Sequence, residues 1–148
     1  MDTETSKVMF ALLRSAVCGD PLTDGEKALF HADMLPRIVR TAQRHDVAHL
    51  LALGLKRNRL PDESGGQLDA ELFRAVYRHE QMNYELTRLC GEFEKAEIPF
   101  IPLKGSVLCR YYPEPWMRTS CDIDILVHGE DLERAVSALK EHLAYRRE

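Results

Sequence analysis

The sequence predicts an α+β chain: a helical region over residues 1–97, then a small mixed sheet with its helices over 98–148. Three observations carry that reading. Apolar residues recur at helical spacing up to Glu97, most clearly in Leu68, Leu72, Val76, Met82, Leu86, Leu89, Cys90 and Phe93, which form one broad stripe at a period of about 3.6 residues. The period breaks at Ile98-Pro-Phe-Ile-Pro-Leu103, a short apolar run bracketed by prolines, as expected of a strand at a sheet edge. Finally, Cys121–Val127 alternates acid and aliphatic residues, the period-two pattern of a half-buried strand.

The elements follow in order. Lys7 to Cys18 reads as an amphipathic helix through Val8, Met9, Leu12, Leu13 and Ala16. Gly19–Gly25 is a turn that supplies caps for a helix over Glu26–Ala32. Helices over Leu35–Arg44, with Pro36 in its first turn, and Val47–Arg57 come next, and Asp62-Glu-Ser-Gly-Gly66 is a loop. Leu68 to about Glu97 is one long helix. Phe73, Tyr77 and Tyr84 form a second face of it, expected to pack on the first three helices rather than to line a pocket. After the first strand, Gly105 opens a helix through Tyr112, and Tyr112–Met117 is a loop because Pro113 and Pro115 forbid regular structure. Asp131–His142 is the last helix, with acids at its positive end.

Composition narrows the function classes. A chain of 148 residues, 45% hydrophobic and 30% charged, suits one compact domain or two small lobes. A net charge of −4 argues against a broad nucleic-acid-binding surface. No apolar run approaches the roughly 20 residues of a membrane span, and the polar start Met-Asp-Thr-Glu-Thr-Ser is unlike a signal peptide, so a cytoplasmic location is expected. Cys18, Cys90, Cys109 and Cys121 form no CxxC pair and are expected to be buried, reduced thiols. His45 and His49 share a helical face without an acid partner, which gives no zinc site. There is no nucleophile elbow, Walker sequence or dinucleotide fingerprint; Lys104-Gly105-Ser106 lacks the first glycine of a P-loop.

The chemistry concentrates in Ile101–Ser106 and Arg118–Val127. Asp122 and Asp124, at i and i+2 of a strand, project on one side, while Ile123, Ile125 and Val127 point into a core. Two carboxylates about 7 Å apart, twice the strand rise, can share divalent cations that take oxygen ligands. A glycine turn that opens a helix, as at Gly105, is a natural phosphate site. Together these point to metal-dependent chemistry on a nucleoside triphosphate.

These residues resemble the signature of the DNA polymerase β-like nucleotidyltransferase superfamily: a hydrophobic residue, Gly, then Gly or Ser, and downstream Asp-hydrophobic-Asp. Here they are Leu103, Gly105-Ser106 and Asp122-Ile123-Asp124. The wording around them is closest to a bacterial group called uncharacterised nucleotidyltransferases, and Ala42–Leu50 and Glu97–Phe100 extend the likeness over most of the chain. The resemblance implies a polymerase β-like core over residues 98–148, truncated, that transfers a nucleoside monophosphate from a triphosphate to an acceptor the sequence does not identify. Asp122 and Asp124 would be the catalytic residues and hold Mg²⁺ or Mn²⁺. Gly105 and Ser106 would hold the β- and γ-phosphates, with Lys104 adding positive charge and Arg118 binding phosphate or acceptor or bracing the aspartates. Tyr111, Tyr112 and Trp116 are candidates to stack on a base or to pack in the loop.

The superfamily also uses a third carboxylate, on a strand after the last helix. The sequence reads Ala144-Tyr-Arg-Arg-Glu148 there, so the expectation is a fragment of a longer protein or a shortened member with a crippled site, with Glu148 the only acid near the place. The alternative function is a non-catalytic nucleotide- or partner-binding module of the same fold. An incomplete sheet edge would also invite a homodimer.

Overall fold

The structure is a computed structural model that describes residues 2–143, with side chains described through Glu141. Seven helices and two strands are described: α1 (Thr3–Cys18), α2 (Asp24–Ala28), α3 (Leu35–Arg44), α4 (Ala48–Asn58), α5 (Gln67–Lys95), β1 (Phe100–Pro102), α6 (Gly105–Leu108), β2 (Ile125–Val127) and α7 (Leu132–Leu143). The α+β class expected from the sequence is the class observed. The strands pair antiparallel, Phe100 with Val127, Ile101 with Leu126 and Pro102 with Ile125. Among the described residues no helix is long and apolar enough to cross a membrane. The chain forms two compact units that divide within α5, after Tyr77.

The first unit is all helical. α1 starts at Thr3 rather than Lys7, because the Asp2 carboxylate accepts a hydrogen bond from the Thr5 backbone N–H at 2.8 Å and caps the first turn. The apolar pattern begins only at Val8, which hid that turn. α2 is shifted upstream in the same way: Thr23 and Glu26 form a reciprocal capping box, and the helix stops at Ala28. α1 and α4 approach so closely that Gly54 lies against the Leu12 carbonyl oxygen, leaving no room for a Cβ. Val8, Leu12, Ile38, Leu51, Leu55 and Leu68 fill the core between the helices.

The second unit positions the site. α5 ends in a left-handed turn at Glu97, φ 52°, where the Ile98 N–H reaches back to the Phe93 carbonyl at 2.9 Å. That turn delivers the chain into β1. One face of the two strands packs on α5 and α7 through Leu89, Phe93, Ile98 and Ala135, with Ile123, Ile125 and Val127 against them. Phe93 meets Phe100 edge to face at 5.4 Å. The Arg134 guanidinium ties α7 to the end of α5 by donating to the Ala96 carbonyl at 2.7 Å.

Several local expectations are corrected. Both strands are shorter than their apolar runs: Asp122, Ile123 and Asp124 precede β2, although Ile123 still turns into the core. α6 has four residues and passes at Cys109 into a tighter 3₁₀ turn that ends at Tyr111. Phe73, Tyr77 and Tyr84 are exposed instead of packed. Phe73 and Tyr77 stack on each other, 6.3 Å between centroids, and Tyr84 lies under the Arg88 guanidinium. All four cysteines are free thiols as expected, but only Cys109 is buried; Cys18 and Cys121 are exposed.

Candidate functional site

The register of the two strands builds the site. Beyond the Pro102–Ile125 pair the ladder gains one more bond, from the Leu103 N–H to the Asp124 carbonyl at 2.9 Å. Asp124 is therefore fastened beside the residue that follows Leu103, which is Lys104. The Lys104 Nζ lies 3.2 Å from Asp124 Oδ2. Because Ile123, Ile125 and Val127 face the core, alternation turns Asp124 to the opposite side, with Leu126 beyond it.

Lys104 links β1 to α6 with φ 46° and ψ −108°, a conformation that side chains other than glycine's rarely tolerate. This turn reverses the chain so sharply that Gly105 lands against the segment before Asp122. A Cβ on Gly105 would sit 2.5 Å from Ser120 Oγ and 3.3 Å from the Arg118 guanidinium. Gly105 is buried, while Lys104 is exposed.

Ser120 is a site residue that the sequence argument missed. Its hydroxyl is within hydrogen-bond distance of both the Asp122 carbonyl, 3.1 Å, and Asp122 Oδ1, 3.2 Å. The signal was available: a serine two positions before an aspartate in a turn is a common local hydrogen-bonding pattern. Ser120 thus touches the glycine turn on one side and orients a carboxylate on the other.

The remaining predicted residues fall around this centre. The Ser106 hydroxyl donates to the Leu103 carbonyl at 3.0 Å, closing the end of β1. The groups that the turn offers an anion are therefore the backbone N–H groups of Gly105 and Ser106, which start α6 and have no partner within it. Arg118 places its guanidinium beside Gly105 and, among the described residues, makes no hydrogen bond or ion pair with Asp122 or Asp124. Of its expected roles, bracing the aspartates is thus not what this geometry does. Tyr111 is 82% exposed, so it is not loop packing, whereas Tyr112 and Trp116 are half-buried.

Asp122 and Asp124 are the donors that a divalent cation would meet here. Carboxylate oxygens are the hard ligands that Mg²⁺ and Mn²⁺ prefer. The Lys104 ammonium already stands against Asp124 as a cation would, and Ser120 steadies Asp122 as an outer partner steadies a metal ligand. Asp122 and Asp124 offer oxygen donors of the type such an ion takes. Among the described residues no group of three or more His, Cys, Asp or Glu is arranged to hold a metal. The third acid looked for at Glu148, and the strand expected to carry it, lie outside the described residues.

A family model described as an uncharacterised nucleotidyltransferase matches residues 32–148. No curated protein and no solved structure matches the chain.

Proposed function

Because the chain belongs to the uncharacterised nucleotidyltransferase family, we propose that it binds a nucleoside triphosphate with Mg²⁺ or Mn²⁺ at Asp122 and Asp124 and transfers the nucleoside monophosphate to an acceptor, the new bond forming at the α-phosphorus as the α–β phosphoanhydride breaks and pyrophosphate leaves. The observation that carries this reading is the meeting of the glycine turn and the aspartate segment: Gly105 touches Ser120 and Arg118, and Lys104 touches Asp124. The groups assigned here to the triphosphate and those assigned to the metal thus lie within one side chain of each other.

The roles follow from charge and reach. Asp122 and Asp124 hold the cation, which when bound offsets charge on the phosphoryl oxygens. Ser120 fixes the rotamer of Asp122. Gly105 and Ser106 present backbone N–H groups to phosphate oxygens, and glycine allows the close approach. Arg118 presents its planar fork on the same side of the turn and binds phosphate bidentately. Tyr111, exposed beyond α6, is available to stack on the base.

The test uses nucleoside triphosphates labelled at the α-phosphate, Mg²⁺ or Mn²⁺, and cell extract as the source of acceptor. Metal-dependent label transfer that vanishes in Asp122→Asn supports nucleotidyl transfer. Label that persists in that variant overturns it. Metal-dependent binding with no transfer from any of the four nucleotides overturns the transfer and leaves a nucleotide-binding module.

A further inference from the structure

The ion pair between Lys104 and Asp124 has a consequence for the order in which the site fills. An ammonium 3.2 Å from Asp124 Oδ2 occupies the position from which a cation would be bound. A metal and the ammonium on that one carboxylate would be two cations a few ångströms apart, and their repulsion opposes joint occupancy. Lys104 is also the residue immediately before Gly105, at the turn assigned to the triphosphate, and its side chain is 71% exposed and so has room to swing. We infer that Lys104 is a placeholder cation: it neutralises Asp124 while the site is empty, yields it to the metal, and then turns its ammonium to the triphosphate. This rests on the reading of Asp122 and Asp124 as metal ligands and adds to it a coupling between the two ligands.

The coupling has a definite sign. Metal arriving alone must displace the ammonium and leave it stranded beside a second cation, which opposes binding. Metal arriving with a triphosphate gives the displaced ammonium a new anionic partner. Each ligand therefore improves the affinity for the other, as linkage requires.

Removing the ammonium then moves two affinities in opposite directions, which a purely structural lysine would not do. The probes are Mn²⁺ alone, followed by electron paramagnetic resonance, and Mn²⁺ with inorganic tripolyphosphate, followed by calorimetry. Tripolyphosphate carries the chemistry that all nucleoside triphosphates share. Lys104→Met should bind Mn²⁺ alone more tightly, by about fivefold at most, since an exposed ion pair is worth about 1 kcal/mol or less. The same variant should bind Mn²⁺-tripolyphosphate about tenfold more weakly, through loss of a charged hydrogen bond. Lys104→Gly, which suits the left-handed turn, should give both shifts if the methionine variant folds poorly. Lys104→Arg should stay close to the wild type in both. Unchanged or weaker Mn²⁺ binding in both Lys104→Met and Lys104→Gly, with wild-type binding still dependent on Asp124, would overturn the placeholder role alone. Wild-type Mn²⁺ binding that is indifferent to Asp124→Asn would instead overturn the metal site itself, and the placeholder with it.

Discussion

Gly105 carries a steric constraint beyond the phosphate contact for which the sequence singles it out. The sequence argument valued it for letting a phosphate approach the backbone. The structure adds that Ser120 and Arg118 already occupy the space a Cβ would need. Gly105→Ala therefore forces the Ser120 side chain to turn or give way, and with it the contact to Asp122. Ser120→Ala is the milder test. It removes the hydroxyl that orients Asp122 and loosens the contact at Gly105 instead of crowding it, and loss of such an outer partner typically weakens metal binding by about 10–100-fold. Mn²⁺ titration of Ser120→Ala should fall in that range with an unchanged melting temperature; wild-type affinity would mean that the hydroxyl is incidental. Asp122, Asp124, Gly105 and Arg118 stand out in the sequence because their types and spacing carry chemistry, and the fold brings Gly105 beside Arg118. The turn at Lys104 does not stand out, because nothing in a lysine announces φ 46°.

The elements were legible where periodicity carried them and not where capping did. α5 matches its apolar stripe almost end to end, whereas α1 begins four residues before the expected start because Asp2 caps it. Hydrogen bonds from Thr5, its backbone N–H first, and then the charge of Arg37 hold the Asp2 carboxyl down from an ordinary 3.8 to about 2. A depressed carboxylate pKa stabilises the fold above the unfolded value and loses that contribution as pH falls through the folded one. Asp2→Ala should accordingly melt below the wild type at neutral pH, and the gap should close between pH 3.8 and about 2. A gap independent of pH would show that the cap does not act through its charge. Between α1 and α4, Gly54→Ala would press a methyl group on the Leu12 carbonyl. It should cost about 1–3 kcal/mol in urea unfolding, the usual range for overpacking. The strands were over-read because Ile98–Leu103 and Cys121–Val127 are apolar over more residues than the ladder uses; α6 was over-read because Cys109–Tyr111 tightens into a 3₁₀ turn.

For the molecule as a whole, composition and a change of period were enough to give an α+β chain with helices first. They could not show that the compact units divide inside α5, since a continuous stripe carries no mark of which core each residue joins. Leu68 belongs to the first core and Phe93 to the second. The proposed function rests on the second unit, where the ladder bond from Leu103 to Asp124 joins two motifs that lie apart in the sequence. The most direct measurement of that claim is calorimetric titration of the purified chain with Mg²⁺ and each nucleoside triphosphate, for the wild type and for the double variant Asp122→Asn, Asp124→Asn. Amides carry no charge to offset the ion. The account predicts metal-dependent binding to the wild type and loss of the metal-dependent part in the variant. Equal affinity in the two proteins would contradict it.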